Sequence, residues 1–121
     1  MDEGRATAGR AEEKEDGMRR AAFTMKLKPG HEAEYKKRHD EIWPELVKEL
    51  EAAGVSDYSI YLDPKSLVLF AFQKVKDHDT TANLPQMAIV KKWWKYMGDL
   101  METNPDHSPV VVDLTEVFHM D

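Results

Sequence analysis

The order of apolar patterns along the chain predicts an α+β domain with the element sequence βαββαβ. Three observations carry that expectation. Short segments alternate apolar and polar residues with a period of two, as half-buried strands do. Two longer segments repeat their apolar residues at helical spacing. Pro29-Gly30, Asp63-Pro64 and Asn104-Pro105 separate these segments as turn formers.

Taken in order, Arg20 to Leu27 places Ala21, Phe23, Met25 and Leu27 on one face, and Pro29-Gly30 ends that strand. Residues 31–53 read as helix, with Tyr35, His39, Ile42, Trp43, Leu46, Val47 and Leu50 as its stripe and Gly54 as its stop. Val55 to Leu62 and Leu67 to Val75 read as two strands joined by the turn Asp63-Pro64-Lys65-Ser66. A polar loop with a helical turn near residues 78–84 leads to a second helix over about 86–101. The loop 104–109 precedes a last strand from Val110 to Met120. This is the split-βαβ order of a ferredoxin-like domain.

The third strand adds an expectation about assembly. Leu67, Val68, Leu69, Phe70, Ala71 and Phe72 are apolar at both parities, a pattern of strands covered on both faces. Two helices cover only one face of a four-stranded sheet. The same face of a second copy is the simplest cover for the other, which predicts a two-fold homodimer with sheets face to face.

Length and composition narrow the function. The chain has 121 residues, enough for one domain, assigned to residues 18–121. Residues 1–17 carry Asp2, Glu3, Glu12, Glu13, Glu15 and Asp16 against Arg5, Arg10 and Lys14, with no large apolar residue but Met1. They read as a disordered extension, with Met18 a candidate start. The absence of cysteine excludes disulfides, thiolate nucleophiles and cysteine-held metals. A net charge of −6 argues against a nucleic-acid partner. No apolar run reaches the roughly 18–20 residues of a membrane span, and no secretory or transit signal is visible. The cytoplasm is the expected location.

The candidate chemistry centres on His39. Tyr35 precedes it by four residues, so on a helix the phenol and imidazole are neighbours on one face. Pro44 then interrupts the helix. An imidazole at such a break titrates near neutral pH and can exchange protons with a ligand. The plain alternative is a satisfied helix histidine with no role. Asp40, Glu41 and Glu45 could raise its pKa, or could be solvated helix charges. His31 lies eight residues from His39, about 12 Å along a helix axis, too far for one metal ion to bridge. His78, His107 and His119 have no partner at ligand spacing, so neither a metal nor a cofactor is expected.

Trp93 and Trp94 are the second cluster. Adjacent helical positions point about 100° apart, so one indole suits the core and the other a rim where an amphipathic ligand can stack. Two packing aromatics is the plain alternative, and Tyr58 is open in the same way. Phosphate loops, nucleophile elbows and paired catalytic carboxylates are missing, which leaves proton movement on a small molecule.

Arg38-His39-Asp40-Glu41-Ile42-Trp43-Pro44-Glu45-Leu46, Tyr58-Ser59-Ile60-Tyr61-Leu62-Asp63, Trp93-Trp94-Lys95-Tyr96-Met97 and Asn104-Pro105-Asp106 with Ser108-Pro109 together resemble the L-rhamnose mutarotase family. The resemblance runs from about Met18 to the C-terminus, with His107 where an asparagine is often found. It implies a cytoplasmic isomerase that interconverts the α and β anomers of L-rhamnopyranose, built as a dimeric α+β barrel. It also implies His39 as proton donor and Tyr35, Tyr58, Trp93 and Trp94 as sugar contacts. On this view His39 protonates the ring oxygen, a tyrosine or water handles the other proton, and the indoles line the apolar face. Two other functions share the pattern: a cofactor-free, monooxygenase-like dimeric barrel, and a non-catalytic sugar-binding module.

Overall fold

The structure, a computed structural model, describes residues 17–76 and 81–121. The N-terminal extension lies outside them except for Gly17, as does part of the turn expected near 78–84. The elements are β1 (Arg19–Lys26), α1 (Glu32–Asp40), α2 (Pro44–Ala52), β2 (Val55–Leu62), β3 (Val68–Val75), a 3₁₀ turn at Leu84–Gln86, α3 (Ala88–Met97) and β4 (Val112–Leu114). The sheet order is β2-β3-β1-β4, and every neighbouring pair is antiparallel. This is the ferredoxin-like α+β arrangement that the sequence predicts.

Three boundaries differ from expectation. The span 31–53 is two helices rather than one. Glu41 caps α1, with its N–H reaching the Lys37 carbonyl, and the chain then leaves helical geometry. Trp43 is extended, as residues before proline prefer, and Pro44 opens α2 at a position where its missing N–H costs nothing. The second helix occupies 88–97 instead of 86–101, because Pro85 lies in the 3₁₀ turn and Gly98 caps the end. The final strand shrinks from 110–120 to Val112–Leu114. Only Ala22 to Thr24 of β1 offer it a partner. Beyond β4 the chain is irregular, and Arg20 grips Glu116 through two bonds of 2.8 and 2.9 Å.

The core lies between the helices and one sheet face. Leu27, Leu69, Leu100 and Val75 are the largest fully buried side chains, and Ala71, Met97 and Met101 are also buried. Met25 pairs with Leu69, and Leu69 with Leu62, so one parity of β1, β2 and β3 points inward. The other parity carries Phe70, Phe72, Tyr61, Val112 and Leu114. Tyr61 is 64% exposed and Phe72 43%, with their rings edge-on at 5.8 Å. That open apolar face is the one read from β3. Among the described residues no helix is long and apolar enough to cross a membrane.

Candidate active site

α1 builds the centre of the site. Its acidic first turn (Glu32, Glu34) and the Lys37 and Arg38 cations of its last turn both complement the helix dipole. Tyr35 is buried and His39 half-buried one turn later, with ring centroids 4.4 Å apart. His39 Nδ1 lies 3.2 Å from the Tyr35 carbonyl oxygen. A carbonyl only accepts, so Nδ1 carries the hydrogen and Nε2 is left with its lone pair in the neutral ring. Burial holds the imidazole below its ordinary pKa, outweighing the Tyr35 carbonyl and the Asp40 carboxylate, which both pull it upward. At neutral pH the ring is uncharged, with a lone pair on Nε2.

α3 supplies the wall. Trp93 is buried and Trp94 half-buried, the division their 100° offset demands. Trp93 meets His39 edge-on at 5.4 Å and 88°, and also packs on Trp43 at 5.0 Å and Tyr96 at 5.7 Å. Trp43 owes its place to the break before α2, which swings it toward α3. Trp43 and Tyr96 pack on Trp93 rather than lining the cleft, an arrangement that sequence reasoning did not foresee although the 43–44 break was the available signal.

Arg38 holds the two helices together, a role that sequence reasoning missed. Its guanidinium bonds Glu34 at 2.8 Å and Asp99 at 2.9 Å, donates to the Tyr96 carbonyl at 2.6 Å, and stands 4.5 Å above the Tyr96 ring. Both carboxylates are held below their ordinary pKa, foremost by this hydrogen bonding. The Arg38 contacts to Tyr96 and Asp99 cross about half the chain, beyond the reach of local pattern.

Tyr58 comes from β2. It meets Phe23 edge-on at 6.5 Å, and although 40% of its surface is open, the protein around its hydroxyl pushes the phenol up to about 12. Burial raises Tyr35 further, and the nearby Tyr58 phenol adds to that. Both phenols therefore keep their protons at neutral pH. All five candidates, Tyr35, His39, Tyr58, Trp93 and Trp94, line one open cleft of about 1410 Å³. That volume exceeds the roughly 300–1,000 Å³ of ordinary small-molecule pockets, so a monosaccharide fills only part of it. His107 lines the cleft as well, with a left-handed φ of 73°. Among the described residues no group of three or more His, Asp or Glu side chains could hold a metal ion.

The arrangement thus sets an uncharged imidazole and two protonated phenols around a space walled by indoles. Such a set can take one proton and give another without a change of net charge.

Comparison with known proteins shows the family. A family model described as L-rhamnose mutarotase matches residues 20–120. An L-rhamnose mutarotase of Bacteroides thetaiotaomicron is 59% identical over 104 residues, covering 86% of this chain and all of that protein. One from Rhizobium johnstonii is 59% identical over 100 residues, covering 82% of this chain and 93% of that one. The crystal structure of an L-rhamnose mutarotase from Formosa agariphila superposes with a TM-score of 0.79 at 51% identity, covering 84% of this chain and 98% of that one. A putative antibiotic biosynthesis monooxygenase from Bordetella bronchiseptica reaches a TM-score of 0.63 at 17% identity, covering 84% and 99%, a likeness of fold alone.

Proposed function

Because the chain belongs to the L-rhamnose mutarotase family, we propose that His39, Tyr35, Tyr58, Trp93 and Trp94 form the site at which it interconverts α- and β-L-rhamnopyranose. The activity is that of a carbohydrate isomerase. The observation that carries the site assignment is the His39 ring, tied through Nδ1 to the Tyr35 carbonyl so that Nε2 is left for the sugar.

Anomers exchange through the open-chain aldehyde. Neutral His39 takes the C1 hydroxyl proton at Nε2 as the bond from C1 to the ring oxygen breaks. The ring oxygen receives a proton from the Tyr35 or Tyr58 phenol, or from water. Rotation about C1–C2 then presents the other face of the aldehyde. On closure the ring oxygen returns its proton, and the imidazolium gives its own to the carbonyl oxygen. His39 is therefore acceptor on opening and donor on closure, in place of the ring-oxygen donor that the resemblance implies, because burial keeps the ring neutral. Trp93 and Trp94 offer flat apolar surfaces to the C–H face and methyl group of the sugar.

The test is the anomer exchange rate of L-rhamnose by saturation-transfer NMR, measured against pH. The rate is expected to hold steady above neutrality and fall on acidification through the His39 pKa, which burial places below its usual 6.5. The sign follows from the working form: acid converts Nε2 from acceptor to N–H. A rate that climbed on acidification would reject the base role and make the imidazolium the donor at the ring oxygen. No acceleration of exchange at any pH would reject the reading as a whole, and leave a sugar-binding module or a monooxygenase-like barrel.

The open sheet face supports a homodimer, with Tyr61, Phe72 and Val112 of each copy against the other. Placing glutamate at Phe72 puts a charge at the centre of that contact. Phe72→Glu is expected to sediment as a monomer where the natural chain sediments as a dimer. A natural chain that is monomeric at tens of micromolar removes this assembly. The cytoplasm is the compartment this reading assigns, in keeping with a sugar-processing family.

A further inference from the structure

Gln73 is the one polar side chain that β3 turns toward the helices. Its strand companions of the same parity, Leu69, Ala71 and Val75, are buried apolar residues of the core. Gln73 is half-buried and lines the cleft. An amide on an inward face costs stability unless it bonds something, and the side chain has no hydrogen-bond partner among the described residues. Ala21, its partner on β1, is small and leaves room beside it.

The neighbour on the other side is more telling. Ser59 pairs with Phe72 and Ser56 with Lys74, so Asp57 and Tyr58 together face Gln73. This is a β-bulge, with Asp57 carrying its extra turn at a left-handed φ of 48°. The extra residue resets the parity of β2. Val55 and Tyr58 both point inward, while the Asp57 carboxylate lies 4.0 Å from Lys74 on the outer side. The bulge thus aims the Tyr58 phenol at the cleft directly across from the Gln73 amide.

We infer that Gln73 is a substrate-binding residue that hydrogen-bonds a pyranose hydroxyl remote from C1 and so helps decide which sugars are accepted. This rests on the site reading above, in which C1 lies by His39. The groups then run in order: Trp93 and His39, Tyr35, Tyr58, Gln73. With the reacting end at His39, Gln73 meets the far edge of the ring, where the C3 and C4 hydroxyls lie. An amide offers both a donor and an acceptor to a hydroxyl, and its loss strands that hydroxyl in a desolvated place.

The experiment compares the natural chain with Gln73→Leu, which keeps the size and removes the polar atoms, and with Gln73→Val, which suits a strand should the leucine variant fail to fold. Both L-rhamnose binding and anomer exchange are measured, alongside the 3-deoxy and 4-deoxy analogues. Loss of one neutral hydrogen bond is worth about 3- to 10-fold in affinity. KM and Kd for L-rhamnose are expected to rise by that factor, with kcat within about twofold. The natural chain should lose the same factor on one deoxy analogue, and the Gln73 variant should lose nothing further on it. Unchanged KM and Kd overturn the inference, as does an equal penalty on every sugar accompanied by a lowered melting temperature. Binding that depends on Gln73 without any catalysed exchange would uphold this inference while rejecting the acid–base reading. No binding of L-rhamnose at all would end both.

Discussion

Replacing His39 with alanine is expected to lower the enzyme-catalysed exchange of rhamnose anomers by about 10²–10⁴-fold, the usual worth of one positioned acid–base group. The alternative is specific here. A structural histidine would only tie its Nδ1 to the Tyr35 carbonyl and brace Trp93. Its removal would then lower the melting temperature and leave the rate per folded molecule alone. The two roles separate because the ring is only half-buried, unlike the fully buried Leu27, Leu69 and Leu100. The variant should fold, bind L-rhamnose within about an order of magnitude of the natural chain, and exchange anomers at close to the uncatalysed rate. His39→Gln sharpens the comparison, since its amide can donate a hydrogen bond but cannot accept a proton at neutral pH. A rate within about twofold of the natural chain in either variant removes His39 from the chemistry.

The parts of this site that the sequence made visible are those governed by local spacing. Tyr35 and His39 meet because side chains four apart on a helix are neighbours, and Trp93 and Trp94 divide between core and rim because adjacent positions diverge. β2 runs over Val55–Leu62 as expected because its ends are marked, by Gly54 at a φ of 94° and by the Asp63 turn, where the carboxylate takes the Lys65 N–H and the Ser66 hydroxyl. The apolar doubling of β3 was also visible, since periodicity reports which faces are wet.

Other features depend on who meets whom across the fold. The apolar alternation from Val110 to Met120 suggested a long strand, but alternation does not supply a partner, and β1 pairs with only Val112 to Leu114. Pro44 was legible as an interruption; that it would start a second helix and turn Trp43 onto Trp93 was not. The link from Arg38 to Asp99 joins residues 61 apart, where no period helps. The bulge at Asp57 was hidden because no glycine marks it. Tyr58, Ile60 and Leu62 share a face as their spacing indicates, but Val55 joins them only through the bulge.

Trp93→Ala is expected to have the largest effect on stability, because Trp93 is at once a core residue and the back wall of the site. Only 8% of it is exposed, and its ring touches those of His39, Trp43 and Tyr96. Removing a buried tryptophan costs about 3–5 kcal/mol, through lost burial and the cavity left behind. In a domain of this size each 1 kcal/mol moves the midpoint by roughly 4–8 °C, so the drop should be well over about 10 °C. Catalysis should suffer as well, since His39 loses the edge-on contact that sets its orientation, and kcat should fall more than affinity. Trp94→Ala gives the contrast: a half-buried rim indole should cost less stability and show itself mainly as a raised KM for L-rhamnose. Trp93→Phe, which refills part of the space, should recover much of the melting temperature and some of the rate. Thermal unfolding followed by circular dichroism, with exchange kinetics on the same samples, reads both effects. If Trp93→Ala melted within a few degrees of the natural chain, or Trp94→Ala melted lower than Trp93→Ala, the division of the two indoles into core and rim would be wrong. The aromatic wall that orients His39 would then have to be assigned to other side chains.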